Sequence, residues 1–134
     1  LQSKAGFEVV AAMDASVVQD VLATADVLLC TDCHGRVVRV HGGVGIDEAQ
    51  EMAPALDLAI AALRQLGQRH ETGELEATLF MFRGRLVAVA ETPDSGRVTV
   101  LADASVQPGL LLSQVRRLIS GSRGAKDQTA GGRA

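Results

Sequence analysis

Cys30, Cys33 and His34 stand in the spacing C-x-x-C-H within the stretch CTDCHGR. That pattern is the attachment signature of a c-type haem, with two thiols for the vinyl groups and an imidazole beside them for the iron. The same thiols could form a thioredoxin-like redox pair, or hold a metal weakly together with His34 and His41. Each chemistry demands a setting. Covalent haem needs a second axial ligand and a large apolar surround. A redox pair wants its first cysteine at a helix N-terminus, where the dipole lowers the thiol pKa. A structural zinc needs four converging ligands, whereas successive strand residues point to opposite faces. The competing reading is a buried strand cysteine at Cys30 followed by a solvated turn, with His41 and His70 exposed. A haem or thiol sensor built on Cys30, Cys33 and His34 is therefore an alternative function, as is a pure assembly subunit, and neither is the leading one.

The rest of the chain supplies no other catalytic set. There is no G-x-x-x-x-G-K-[ST], no G-x-S-x-G elbow and no H-E-x-x-H. GGVG at 42–45 lacks the G-x-G-x-x-G spacing and reads as a flexible connector. Asp14, Asp32, Asp94 and Asp103 fall at turns or helix starts, where capping is their ordinary work. No cofactor and no metal are expected.

Composition narrows the classes further. The 134 residues suit one domain with a core that must be aliphatic, since there is no Trp or Tyr and only three Phe. A net charge of −3 gives no basic field for nucleic acid. No apolar run is long enough to span a bilayer, and LQSKAGFEVVAAM, broken by Lys4 and Glu8, does not read as a leader. Two cysteines three positions apart cannot staple such a domain, so a reducing cytoplasm is the expected location.

These residues must be held by a definite order of elements. Apolar residues Val10, Met13, Val17 and Val21 recur at helical spacing between Phe7 and Thr24, with Ser16 and Gln19 as a possible capping box; this is one helix, or a short segment followed by a helix, with FEVVAA equally able to start as a strand. ADVLLCT and RVVRVHG read as a hairpin turned by Asp32 and Gly35. A helix follows, with Asp47 and Gln50 as its N-cap pair and Met52, Leu56, Ala59, Ile60, Leu63 and Leu66 on one face. Pro54 should kink it or mark the start of its main part, and Gly67 with QRHETG should end it. ELEATLFMF and RLVAVAET pair across Arg83-Gly84, and RVTVLADA follows the PDSG turn. The last helix begins near Pro108, buries Leu111, Val115 and Leu118, and should stop at Gly121. That leaves residues 1–121 as one domain and 122–134 as a mobile polar tail. The segments MDASVVQDVL and ADASVQPGLL resemble one another without a repeated architecture. The order α-β-β-α-β-β-β-α, joined by tight hairpins, predicts an α+β fold with an antiparallel sheet and helices on its faces.

Two features point to protein partners. ELEATLFMF has no proline and is apolar on both sides, with Leu75, Ala77, Leu79 and Met81 on one face and Phe80 and Phe82 on the other. As an edge strand it would template pairing with another chain. The helix over 52–66 is apolar on more than one side, as a helix contacting both a sheet and a partner would be. A homodimer follows, with Leu56, Ile60, Leu63, Leu75, Ala77, Leu79 and Met81 as candidate interface residues.

Taken together, ADVLLCTDCHGRVVRV, MAPALDLAIAALRQLG and RGRLVAVAETPDSGRVTVLADASVQPGLLLSQVRRL resemble the strands, central helix and closing elements of the Roadblock/dynein light-chain family. That family's fold is related to profilin and longin domains. The resemblance covers about residues 8–120, with Asp103 and Gly109 at matching places. It implies a five-stranded antiparallel sheet with the central helix on one face and the terminal helices on the other. It also implies a homodimer joined through the long helices and third strands. Such proteins are mostly not enzymes, and bacterial members often bind and regulate a small Ras-like GTPase. The matched central helix carries Glu48, Glu51 and Arg64 on or near its polar side, with Arg69 just past its end. These four are the candidate partner surface.

Overall fold

The computed structural model describes residues 13–43, 45–92 and 96–131, with side chains as far as residue 120. The elements are α1 (Ala15–Thr24), β1 (Val27–Thr31), β2 (Val37–Gly42), α2 (Ile46–His70), β3 (Ala77–Met81), β4 (Arg85–Glu91), β5 (Arg97–Asp103) and α3 (Pro108–Gly131). The strands form one antiparallel sheet in the order β2-β1-β5-β4-β3. This is the α+β arrangement the sequence predicts, and β2 and β3 are its edges.

Alternation along the strands divides the interior in two. Leu28, Cys30, Leu86, Ala88, Ala90, Val98, Val100 and Ala102 face one side, where α1 and α3 cover them with Val17, Val18, Val21, Leu111, Val115 and Leu118. Val27, Leu29, Val87, Val89 and Leu101 face the other, under Ala49, Leu56 and Ile60 of α2. Each buried Leu or Val side chain contributes about 1.5–3 kcal/mol. Among the described residues the core is aliphatic apart from Phe80, which packs half-buried on the α2 side.

Helix boundaries depart from expectation in physically simple ways. Asp14 caps α1, its Oδ1 accepting from Ser16 N and Oγ at 2.8 Å each, so the box expected from Ser16 and Gln19 is not used. Asp103 accepts from the amide and hydroxyl of Ser105 at 3.2 and 2.8 Å ahead of α3. The echo between the two segments is thus one Asp-x-Ser turn used twice. The helices that follow are joined by Gln114, which accepts from Thr24 Oγ1 at 3.0 Å and donates to the Asp20 carbonyl at 3.3 Å.

Helix α2 starts from Gly45 at φ +94° with no side-chain cap, so the expected pair of Asp47 and Gln50 is not its N-cap. Asp47 instead sits with Glu48 in the first turn, where carboxylates complement the dipole. Pro54 neither starts nor divides the helix but lies inside it on the exposed side. The donor it lacks is missing where water can reach the orphaned carbonyl. The helix passes Gly67 and ends at His70, where the Glu71 amide bonds back to the Gly67 carbonyl. Helix α3 likewise runs past its expected stop at Gly121 to Gly131. The interior glycines Gly121 and Gly124 cost about 1 kcal/mol each, and the segment around them has no proline. Residues 7–12 of the expected first helix, residues 93–95 of the PDSG turn and residues 132–134 lie outside the described residues.

The two edges differ. On β2, Cys30 lies opposite Arg39 and Thr31 opposite Val37, so Val38 is an extra residue and the strand is bulged. On β3 the register runs unbroken from Ala77 to Met81 against Ala90 to Leu86.

Candidate functional site

At the CTDCHGR turn, Asp32 is buried and its Oδ1 accepts from the amides of His34 at 2.9 Å and Arg36 at 3.0 Å. The Gly35 amide bonds the Asp32 carbonyl at 3.0 Å with φ +80°, a conformation that suits glycine. Cys30 points into the core beneath α1 and α3 at 1% exposure, and burial pushes its thiol pKa up to about 12. Cys33 is exposed, and the two thiols are not bridged. A haem would need both sulfurs on one surface, and a redox pair would need an accessible thiolate; Cys30 meets neither need. Among the described residues no group of three or more His, Cys, Asp or Glu is placed to hold a metal ion. His41 is half-buried rather than exposed, with Nε2 inside and no hydrogen-bond partner among the described residues. Burial, and secondarily Arg39, pull its pKa down.

Charged residues ring the base of α2 and fasten it to the sheet. Arg64 pairs with Glu91 of β4, and Asp57 with Arg97 of β5. Arg85 of β4 reaches Asp26 Oδ2 at 2.6 Å, and its Nε lies 3.1 Å from Glu48 Oε1. That second contact is an ion pair by proximity only, since no donor is aimed at Glu48 Oε1 among the described residues. Half-exposed pairs of this kind are worth about 0–1 kcal/mol each. Their main effect is positional, because they fix which side of the helix meets the strands.

The opposite side of α2 is apolar and open. Leu58 is 76% exposed there among Ala55, Ala61 and Ala62, while Leu66 on the flank and Leu63 at the edge of the sheet-facing side are exposed as well. Beside Leu63 and Leu66, the approach to β3 forms an open groove of about 480 Å³ lined also by Leu75 and Ala77. Met81 and Phe82, at the far end of β3, are 67% and 53% exposed. A second groove of about 590 Å³ at the C-terminal end of α2 is polar, between Arg64, Gln68, Glu71, Glu74 and Glu91.

No protein-family model and no curated protein matches the sequence. Solved structures do match. The chain superposes with a TM-score of 0.66 on a Roadblock/LC7 domain from Streptomyces avermitilis, at 22% identity, covering 86% of this chain and 94% of that one. It superposes with a TM-score of 0.69 on MglB of Myxococcus xanthus, at 14% identity over 90% and 95% of the two chains. The gliding protein MglB of Thermus thermophilus gives the same TM-score at 16% identity over 95% of each. The chain has the Roadblock/LC7 fold.

Within this Roadblock/LC7 fold the candidate residues separate into groups. Leu56 and Ile60 belong to the chain's own core, packed on the strands beneath α2, and are not available to a partner. Ala77 and Leu79 are half-buried on the α1–α3 side of β3. Leu75 is on the α2 side instead of sharing their face, because it precedes the regular strand and alternation does not reach it. Leu63, Leu75 and Ala77 meet at one groove, while Met81 stands at the other end of the strand. Of the candidate partner surface, Glu48 and Arg64 are tied to strands, whereas Glu51 and Arg69 are exposed at opposite ends of α2. Leu58 and Phe82 are not among the sequence candidates. Both carry a signal: Leu58 is a large apolar residue outside the stripe of Leu56, Ile60 and Leu63, and Phe82 is an aromatic residue at a hairpin turn.

Proposed function

We propose that the chain is a homodimeric adaptor, without a catalytic site of its own, that binds a small Ras-like GTPase and modulates its nucleotide cycle. The observation that carries it is an unblunted apolar edge, β3, continuous with an exposed apolar flank of α2 at Leu63 and Leu66. The Roadblock/LC7 fold and the MglB neighbours support a regulatory rather than a catalytic role. One neighbouring structure is described as MglB with a tetrameric arrangement, which supports self-association. The partner surface is the solvent side of α2, with Leu58 as apolar centre and Glu51 and Arg69 as charged rim. A large desolvated side chain ringed by polar groups is how interface energy is usually distributed.

Light scattering at micromolar concentration tests the first half: the expected mass is twice that of the chain, and a monomer refutes it. The second half is tested by binding to a Ras-like GTPase from the same genome, loaded with GDP or with a GTP analogue. Nucleotide-dependent binding that Leu58→Asp abolishes is expected. Binding indifferent to nucleotide, together with unchanged hydrolysis, removes the regulatory role.

A further inference from the structure

The two parts of α2 on either side of Pro54 are held to the sheet unequally. Beyond it, Leu56 and Ile60 are buried against the strands, and Asp57 and Arg64 pair with Arg97 and Glu91. Ahead of it, Ala49 is the single buried residue among those described, with Ile46 and Met52 half-buried beside it. An alanine methyl removes far less apolar surface from water than a leucine or isoleucine side chain. The Glu48–Arg85 pair on this part is half-exposed and of small worth. Its start at Gly45 has no side-chain cap, and Asp47, Gln50 and Glu51 are exposed. Most of what fixes α2 therefore lies beyond Pro54.

The hydrogen-bond ladder of α2 has its gap at the same point. The Ala49 amide bonds the Gly45 carbonyl at 2.9 Å, but Pro54 has no amide to offer the Gln50 carbonyl. Inside a helix that omission and the crowding of the ring are unfavourable. At the first position of a helix neither applies: the amide there would be unbonded in any case, and the fixed φ is already helical. A helix over 54–70 thus suits Pro54 better than the longer one, and it keeps Leu56 and Ile60 where they are. We propose that residues 46–53 open and close as one strap, hinged at Pro54, while the rest of α2 stays on the sheet. Gly45, at the root of the strap, lies over Val27 and Leu101, whose methyls would be 3.4 and 3.9 Å from a Cβ placed there. Opening therefore bares the Val27 and Leu101 end of the α2-side core. Glu51 rides on the strap, whereas Leu58 and Arg69 stand on the fixed part. On the partner-surface reading above, on which this last point rests, that surface is whole only while the strap is closed.

Hydrogen exchange of the full chain without a partner, read amide by amide, tests the strap. The bonded amides of 49–53 should share one protection factor, at least about tenfold below those of 58–66. Equal protection along α2 overturns the proposal. Ile60→Val loosens only the packing of the fixed part, so exchange should quicken about fivefold at 58–66 and stay unchanged at 49–53. Equal quickening in both parts would show that α2 opens as a single piece, and overturns the strap. Pro54→Ala supplies the missing amide, and exchange at 49–53 should slow at least about tenfold. Unchanged rates there overturn the proline hinge. None of these readouts involves a GTPase, so failure of the strap and failure of the adaptor role are told apart.

Discussion

Ile60 and Leu58 stand two residues apart on α2, one 3% and the other 76% exposed, and substituting each by alanine asks which side of the helix meets the sheet. Ile60→Ala removes three carbons from a site enclosed by the strands beneath. At about 0.8 kcal/mol per carbon, transfer alone costs about 2.4 kcal/mol. The cavity left under a helix held by three ion-paired positions brings the total to about 3 kcal/mol. For a domain of this size that lowers Tm by about 10 °C. Leu58→Ala loses only exposed surface and should stay within about 0.5 kcal/mol. Thermal and urea unfolding followed by circular dichroism, at two protein concentrations, read both. The gap between Ile60→Ala and the parent should be the same at each concentration, because the chain's own strands cover Ile60. A gap that shrinks on dilution would place Ile60 against a second copy and refute the packing described above. A melt for Leu58→Ala lower than for Ile60→Ala would refute the orientation of the helix.

Two further outcomes follow from local geometry. Asp32→Ala should cost about 2–3 kcal/mol in urea unfolding, because a buried carboxylate bonded to two amides is lost. Cys33→Ser and His34→Ala should cost less than about 0.5 kcal/mol, and equal losses at all three would deny Asp32 its role. His41 is held below its ordinary value of 6.5 by burial and by Arg39. The unfolded chain therefore takes up this proton first, so stability present above pH 6.5 declines as pH falls from there through the lower folded value. His41→Gln should flatten that part of a Tm-versus-pH curve, and an unchanged slope would show that other groups set it.

Much of the fold is legible in the sequence because its signals are local. The unbroken apolar runs VLLC and LVAVA mark strands buried on both faces, and Asp32 and Gly35 mark the first hairpin. Helix ends are less legible, because Pro54, Gly67 and Gly121 each argue for a break that the helix-favouring residues around them outweigh. The orientation of α2 is hidden for a different reason. Leu56, Ile60 and Leu63 share a face by spacing, but Leu58 and the alanines around it make the other side apolar too, so hydrophobicity alone marks the sheet-facing side only weakly. The charges decide it, and their partners are distant in sequence: Arg64 with Glu91, Asp57 with Arg97. Leu75 lies on the face opposite to the one alternation predicts, because strand periodicity holds only from Ala77 onward. The haem-like spacing misleads for a related reason, since Cys30 ends a strand and Cys33 lies in a turn, so one thiol is inside the protein and the other outside.

The bulge at Val38 sets the valence of the chain as a building block. In step-growth terms, a unit with two reactive ends makes a polymer, whereas a unit with one makes a pair and stops. The sheet has two ends, but the extra residue and the arginine beside it disrupt the even ladder that an incoming strand would need at β2. Only β3 keeps an uninterrupted register. Growth of this sheet by strand addition, as proposed above, is therefore expected to stop at a single partner, and deleting Val38 is expected to turn a terminator into a propagating unit.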